Sequence, residues 1–172
     1  LDNDDLERLR GITIFSKQAI LNLRHSIITL IDTPGHIDFS ADMERTLAVL
    51  DYAILVVNAL DGVQSHTKTL WRLLKEYKIP TFIFVNKMDS ELADKERIVK
   101  EIHSKLSRDI VDFDIFSKAF DEEGFDISRL EEDLVEELAY SDDSLLEKYE
   151  EKSLVSPDIT ESICKRHIYP MF

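Results

Sequence analysis

"TFIFVNKMD", residues 81–89, is apolar from Phe82 to Val85 and then turns at once to Asn86, Lys87 and Asp89. Apolar side chains on consecutive positions, with no alternation, predict a strand covered on both faces, as in a parallel α/β sheet. Two further runs share the pattern, "SIITLID" (26–32) and "YAILVVNA" (52–59).

The segments between these runs have helical period. In "QSHTKTLWRLLKEYK" (64–78), Thr67, Leu70, Trp71, Leu74 and Tyr77 form one apolar stripe, with Trp71 as its core anchor. "FSADMERTLAVLD" (39–51) puts Met43, Leu47 and Leu50 on one side, and a further helix is predicted from beyond Asp89 to about Leu106, carried by Leu92, Val99 and Ile102. Strand, helix, strand, helix, strand is the rhythm of βαβ units, and an α/β fold with a mostly parallel sheet follows. Upstream, "ITIFSKQAILNLRHSIITLID" predicts two strands joined around "NLRH" as an antiparallel edge pair.

With 172 residues, 44% of them hydrophobic, the chain can bury one sizeable core. Its 35 acidic and 21 basic residues give a net charge of -14, which opposes a nonspecific hold on nucleic acid. Direct DNA binding is therefore not expected, and contact with RNA would need positive charge from elsewhere. The single cysteine, Cys164, excludes an internal disulfide, and no 18-residue apolar run or signal-peptide pattern is present. A cytoplasmic location away from membranes is the expectation.

From 107 to 143 the sequence turns acidic. "FDEEGFDISRLEEDLVEELAYSDD" predicts a solvated, partly helical insertion. A calcium loop fails on spacing, because neither Asp112 nor Asp121 is followed by oxygen ligands at positions 3 and 5 with Gly at position 6. Ser144 and Glu147 have capping-box spacing, and Ser156-Pro157 resembles an N-cap and N1 pair.

Ligands of open α/β sheets bind beyond the carboxyl ends of the strands. Two of the apolar runs end there in polar clusters, Asp32-Thr33-Pro34-Gly35-His36 and Asn86-Lys87-Met88-Asp89. Taken singly each has an ordinary explanation, the first as a turn and the second as a helix N-cap. Taken together, in this order and each at a strand end, they describe a guanine-nucleotide site. Asp32 is placed to hold Mg²⁺ through water, and the amide of Gly35, with no Cβ in the way, to meet a γ-phosphate. The Asp89 carboxylate can accept from the N1-H and 2-amine of guanine, Asn86 can reach N7 and tie neighbouring loops, and the Lys87 stem can lie over the base. Thr13, flanked by apolar residues, reads in isolation as a β-former, and His36 as an exposed loop histidine.

The chain resembles the translational GTPases on "RGITI" (10–14), "DTPGHIDF" (32–39), "VLDYAILVVNALDGVQSHT" (49–67) and "NKMD" (86–89), in that order. Within that family it looks most like the tetracycline-resistance ribosomal protection proteins, relatives of elongation factor G. The likeness is close from Glu7 to Asp89 and looser in "LLEKY" (145–149) and the closing "IYPMF". The resemblance implies a P-loop NTPase-like fold that binds GTP or GDP with Mg²⁺, works on the ribosome and hydrolyses GTP to GDP and phosphate. It also implies that Thr13 ligates Mg²⁺ in switch I, that Asp32 and Gly35 belong to switch II, and that His36 is catalytic and positions the attacking water. Asn86, Lys87 and Asp89 would read the base.

One departure from that family is plain. No G-x-x-x-x-G-K-[ST] occurs in the 172 residues. By the resemblance, residues 1–172 are then a partial G domain lacking its first strand with the phosphate loop and its last strand, inactive by itself, with 107–143 a variable acidic insertion. The alternative is a noncatalytic interaction module that kept the fold and lost the loop.

Overall fold

The computed structural model describes residues 17–23, 26–33, 45–121 and 124–172. The chain divides after Leu50 into two units.

In the first, β1 (Lys17–Asn22) pairs antiparallel with β2 (Ile27–Asp32), from Lys17 opposite Asp32 to Asn22 opposite Ile27. The Leu23 N–H closes the connection by donating to the Ser26 carbonyl at 2.8 Å. The antiparallel pairing is as predicted, but among the described residues the pair forms a two-stranded sheet of its own and not the edge of the parallel sheet. Among the described residues the cover that its apolar run predicts for β2 is not found: Ile27, Ile28 and Leu30 are all exposed. An unbroken apolar run encodes a wish for burial but not the element that supplies it. Of the predicted helix over 39–51, residues 45–47 are helical and 39–44 lie outside the described residues.

The second unit is built on a four-stranded sheet in the order β3 (Ala53–Asn58), β4 (Thr81–Asn86), β8 (Tyr169–Met171), β5 (Ile110–Asp112), parallel throughout. β3 and β4 pair without a bulge, with Ala53 opposite Thr81 and Asn58 opposite Asn86. Their alternation decides the faces. Leu55, Val57, Ile83 and Val85 are buried, whereas Ile54, Val56 and Phe84 on the other face are exposed. The expectation of cover on both faces therefore holds on one face only among the described residues.

Helix α1 (Ser65–Glu76) buries Trp71 and Leu74. Trp71 anchors it as expected: its indole N–H donates to the Leu106 carbonyl at 3.2 Å, and its ring meets Tyr169 of β8 edge-on at 4.7 Å. Helix α2 (Lys95–Lys105) buries Ile98 and Ile102. It starts later than the sequence suggested, because Asp94 caps it by accepting from the Arg97 N–H at 3.0 Å, and Leu92 lies outside it, 81% exposed.

The acidic segment departs most from expectation. It contributes β5 to the sheet, a 3₁₀ stretch (Phe113–Ala119), the short hairpin of β6 (Phe120–Asp121) and β7 (Gly124–Phe125), and helix α3 (Glu132–Ala139). Phe113, Phe116, Ile127 and Leu138 from this segment are buried in a second core with Leu145 of α4 (Asp143–Glu150), Ile159 of α5 (Ser156–Lys165) and Ile168. Most of its charged side chains are exposed while these four apolar residues are inside, and the Asp142 side chain is only 8% exposed, so the solvated description fits most of the acidic side chains but not the segment as a whole.

Two caps are also corrected. Asp142, upstream of the predicted box, caps α4 by accepting from the Ser144 N–H at 3.0 Å. Val155 is the N-cap of α5, and Asp158 reaches back to the Val155 N–H at 2.9 Å. The Ser156 hydroxyl instead accepts from the Ile127 N–H at 2.9 Å.

The strand β8 lies in "IYPMF", a stretch with no strand signal of its own. Phe172 donates to the Ile83 carbonyl and Val85 to the Phe172 carbonyl, at 2.9 and 2.7 Å, which stitches this segment between β4 and β5.

Candidate functional site

The segment Asn86–Asp89 leaves the sheet at the carboxyl end of β4. Asn86 is held twice: its backbone carbonyl accepts from the Ala59 N–H, and its side-chain oxygen accepts from the Lys87 N–H, each at 2.9 Å. Lys87 has φ +65°, a left-handed conformation that costs a non-glycine residue energy and that clusters at ligand-binding turns. Beyond it the Ser90 N–H donates to the Lys87 carbonyl at 3.3 Å, the Ala93 N–H to the Ser90 carbonyl at 2.9 Å, and the Leu92 N–H to the Ser90 hydroxyl at 3.3 Å. The backbone is thus tied from within, while Asn86, Lys87 and Asp89 are exposed at its surface. Because Asp94 caps α2, Asn86–Asp89 does not serve as its N-cap, and that ordinary explanation of the motif is removed.

A second loop stands beside it at the end of β3. The Asn58 amide donates to Asp61 at 2.7 Å, its oxygen accepts from the Leu60 N–H at 2.9 Å, and the Gly62 N–H donates to the Asn58 carbonyl at 2.9 Å. Gly62 has φ +70°, and a Cβ there would overlap the Glu101 carboxylate of α2. Glu101 accepts from the Val63 N–H at 3.0 Å and from Arg97 at 3.3 Å, and is ion-paired with Lys105. The Lys105 ammonium above all, with the Val63 N–H and Arg97, holds the Glu101 carboxyl below the usual carboxylate range against the opposing effect of burial. The Arg97 guanidinium also donates to the carbonyls of Ala59 and Leu60. Sequence reasoning gave Arg97 and Glu101 no role; their signal was a glycine shortly after a strand end, with nothing to say which helix would meet it.

Asp32 is the last residue of β2, opposite Lys17 and partly buried. It belongs to the first unit, and Asn86, Lys87 and Asp89 belong to the second. Thr13, Gly35 and His36 lie outside the described residues.

A parallel sheet flanked by helices, with polar loops gathered at the carboxyl ends of its strands, defines an α/β nucleotide-binding domain. The model of the elongation factor Tu GTP binding domain matches residues 1–165, and the chain belongs to that family. It is 36% identical over 181 aligned residues to the tetracycline resistance protein TetP of Clostridium perfringens, which covers 99% of this chain and 28% of that protein. Elongation factor G of Rhodopirellula baltica is 45% identical over 109 residues, covering 63% of this chain and 16% of the factor. The tetracycline resistance protein TetW of Butyrivibrio fibrisolvens is 46% identical over 106 residues, 62% of this chain and 17% of that protein. The chain therefore spans less than a third of the length of these relatives. A crystal structure of a Thermus thermophilus protein superposes with a TM-score of 0.76 at 22% identity, over 99% of this chain and 30% of that one, a likeness of fold. No helix among the described residues is long and apolar enough to cross a membrane.

Proposed function

We propose that this chain is the guanine-nucleotide-binding part of a ribosome-dependent GTPase, which hydrolyses GTP to GDP and phosphate in elongation or in ribosomal protection against tetracycline. The observation that carries the reading is the Asn86–Asp89 segment: an internally tied turn, with Lys87 in a left-handed conformation and three exposed polar side chains, that does not cap the helix after it. In this reading Asp89 accepts from the N1-H and 2-amine of guanine, Asn86 faces N7, and the Lys87 stem covers the base. Relatives named as an elongation factor and as tetracycline resistance proteins support the ribosome as partner and the cytoplasm as the place of work.

Asp32 and Thr13 fit a hard cation as oxygen donors, since Mg²⁺ takes few protein ligands and keeps much of its water; Asp32 stands at a strand's carboxyl end as such a ligand should. Bound there, the ion neutralises charge on the phosphates. The Gly35 amide faces the γ-phosphate and His36 orients the water. Residues 1–172 are then part of one G domain, with 107–143 as its acidic insertion.

The test is Asp89→Asn in the full-length protein. The new amide turns a donor toward the guanine 2-amine, leaving facing donors, while xanthine offers a carbonyl there. GTP use should fall and XTP use rise, read as kcat/KM for both. Unchanged preference for GTP, with only a lower melting temperature, would sink the assignment.

A further inference from the structure

The Asn86–Asp89 segment is short and exposed, so something must hold it where a base can be read. Its start is tied to the neighbouring loop by a backbone bond from the Ala59 N–H to the Asn86 carbonyl. Its end runs into α2 at the Asp94 cap. Both anchors lead to Arg97 of α2, whose backbone N–H donates to the Asp94 cap at 3.0 Å. Arg97 takes the carbonyls of Ala59 and Leu60, so Ala59 is gripped at its carbonyl while its N–H supports Asn86, and the same guanidinium donates to Glu101 at 3.3 Å. Glu101, with a side chain only 16% exposed, takes the Val63 N–H and fills the space that Gly62 leaves open. Lys105 completes the stripe, ion-paired with Glu101 and donating to the Val63 carbonyl at 3.4 Å.

We propose that Arg97 and Glu101 are positioning residues for base recognition, clamping the Ala59–Val63 loop to α2 so that Asn86 and Asp89 are held in a fixed relation. The proposal rests on the guanine reading above and adds its support. The clamp is charged and partly shielded, and its planar guanidinium divides the work between two nitrogens held at a fixed separation, one donating to Glu101 and the other to the carbonyls of Ala59 and Leu60, where an ammonium offers a single nitrogen. Loss of a shell that holds a recognition group within about 1 Å can cost up to about a hundredfold in discrimination, without touching the ligand.

The experiment measures dissociation constants of GDP and of IDP, which lacks the 2-amine, for the full-length protein and its variants. Arg97→Ala should reduce the preference for GDP over IDP by about tenfold while leaving IDP affinity within about twofold, and Arg97→Lys should restore only part of it. Glu101→Gln keeps an acceptor for the Val63 N–H but drops both charge pairs; it should move the same ratio and serves as the test if Arg97→Ala does not fold. An unchanged ratio in these variants, or an equal loss for both nucleotides, overturns the proposal. Asp89→Ala separates the two ideas. If it abolishes the preference and the clamp variants do not, only the clamp fails; if it too leaves the preference intact, the base reading fails and the clamp falls with it.

Discussion

The imidazole Nδ1 of His167 lies 3.1 Å from Oδ2 of Asp142, which ties the turn before β8 to the N-cap of α4. The same carboxylate accepts from the hydroxyls of Ser162 and Ser144 and from the Ser144 N–H, so one side chain joins α4, α5 and the approach to the sheet's strand β8.

Burial alone would raise the Asp142 carboxyl, but the Ser162 hydroxyl, the Ser144 hydroxyl and N–H and His167 together pull it below its usual range. A depressed folded-state value means stability that is present above the ordinary carboxylate range, near pH ~4, and lost as pH falls through the folded value. Asn can still cap the helix, but Asp142→Asn removes the charge that these donors face; it should destabilise by about 1 kcal/mol at neutral pH, and the difference from wild type should shrink on acidification. Urea melts at a series of pH values check this; a constant difference would show that the charge plays no part.

Phe116, in the acidic segment, is completely buried and packs edge-on against Phe113 at 5.5 Å. Phe116→Ala should cost about 3–5 kcal/mol, as a lost aromatic plus the cavity it leaves. Denaturant unfolding that shows a loss under about 1 kcal/mol would mean that the second core does not stabilise the fold.

Trp71 is the only tryptophan in the chain and is 5% exposed. Its emission should therefore be that of a buried indole and shift to the red on unfolding. Trp71→Phe keeps much of the apolar area but leaves the Leu106 carbonyl without its donor, for an expected loss of about 1–3 kcal/mol in thermal or urea melts.

His36→Ala in the full-length protein should leave GTP affinity nearly unchanged and cut ribosome-stimulated hydrolysis by about 10² to 10⁴, the size of a lost acid/base or orienting group. Nucleotide titration beside turnover on ribosomes decides it. Equal losses in both would assign His36 a structural role.

The strands β2, β3 and β4, the helix α1 with Trp71, and the strand-end cluster Asn86–Asp89 are all legible in the sequence, because each is a local pattern: a run, a period, or a polar break at the end of a run. Local patterns carry their own chemistry, and the identity of the base-reading candidates needs no distant partner to be guessed. Tertiary structure alone decided the rest. "IYPMF" is too short to announce a strand, yet β4 and β5 leave a gap that its backbone fills. Phe113 and Phe116 stand among acidic residues that mask them in any composition window, and only the packing of α3, α4 and α5 shows them as a core. Ser144 lost its cap to Asp142, and Arg97 and Glu101 gained a task at the loop around Gly62, far from them in the chain, since a hydrogen bond is chosen by distance in space and by the burial of its partner.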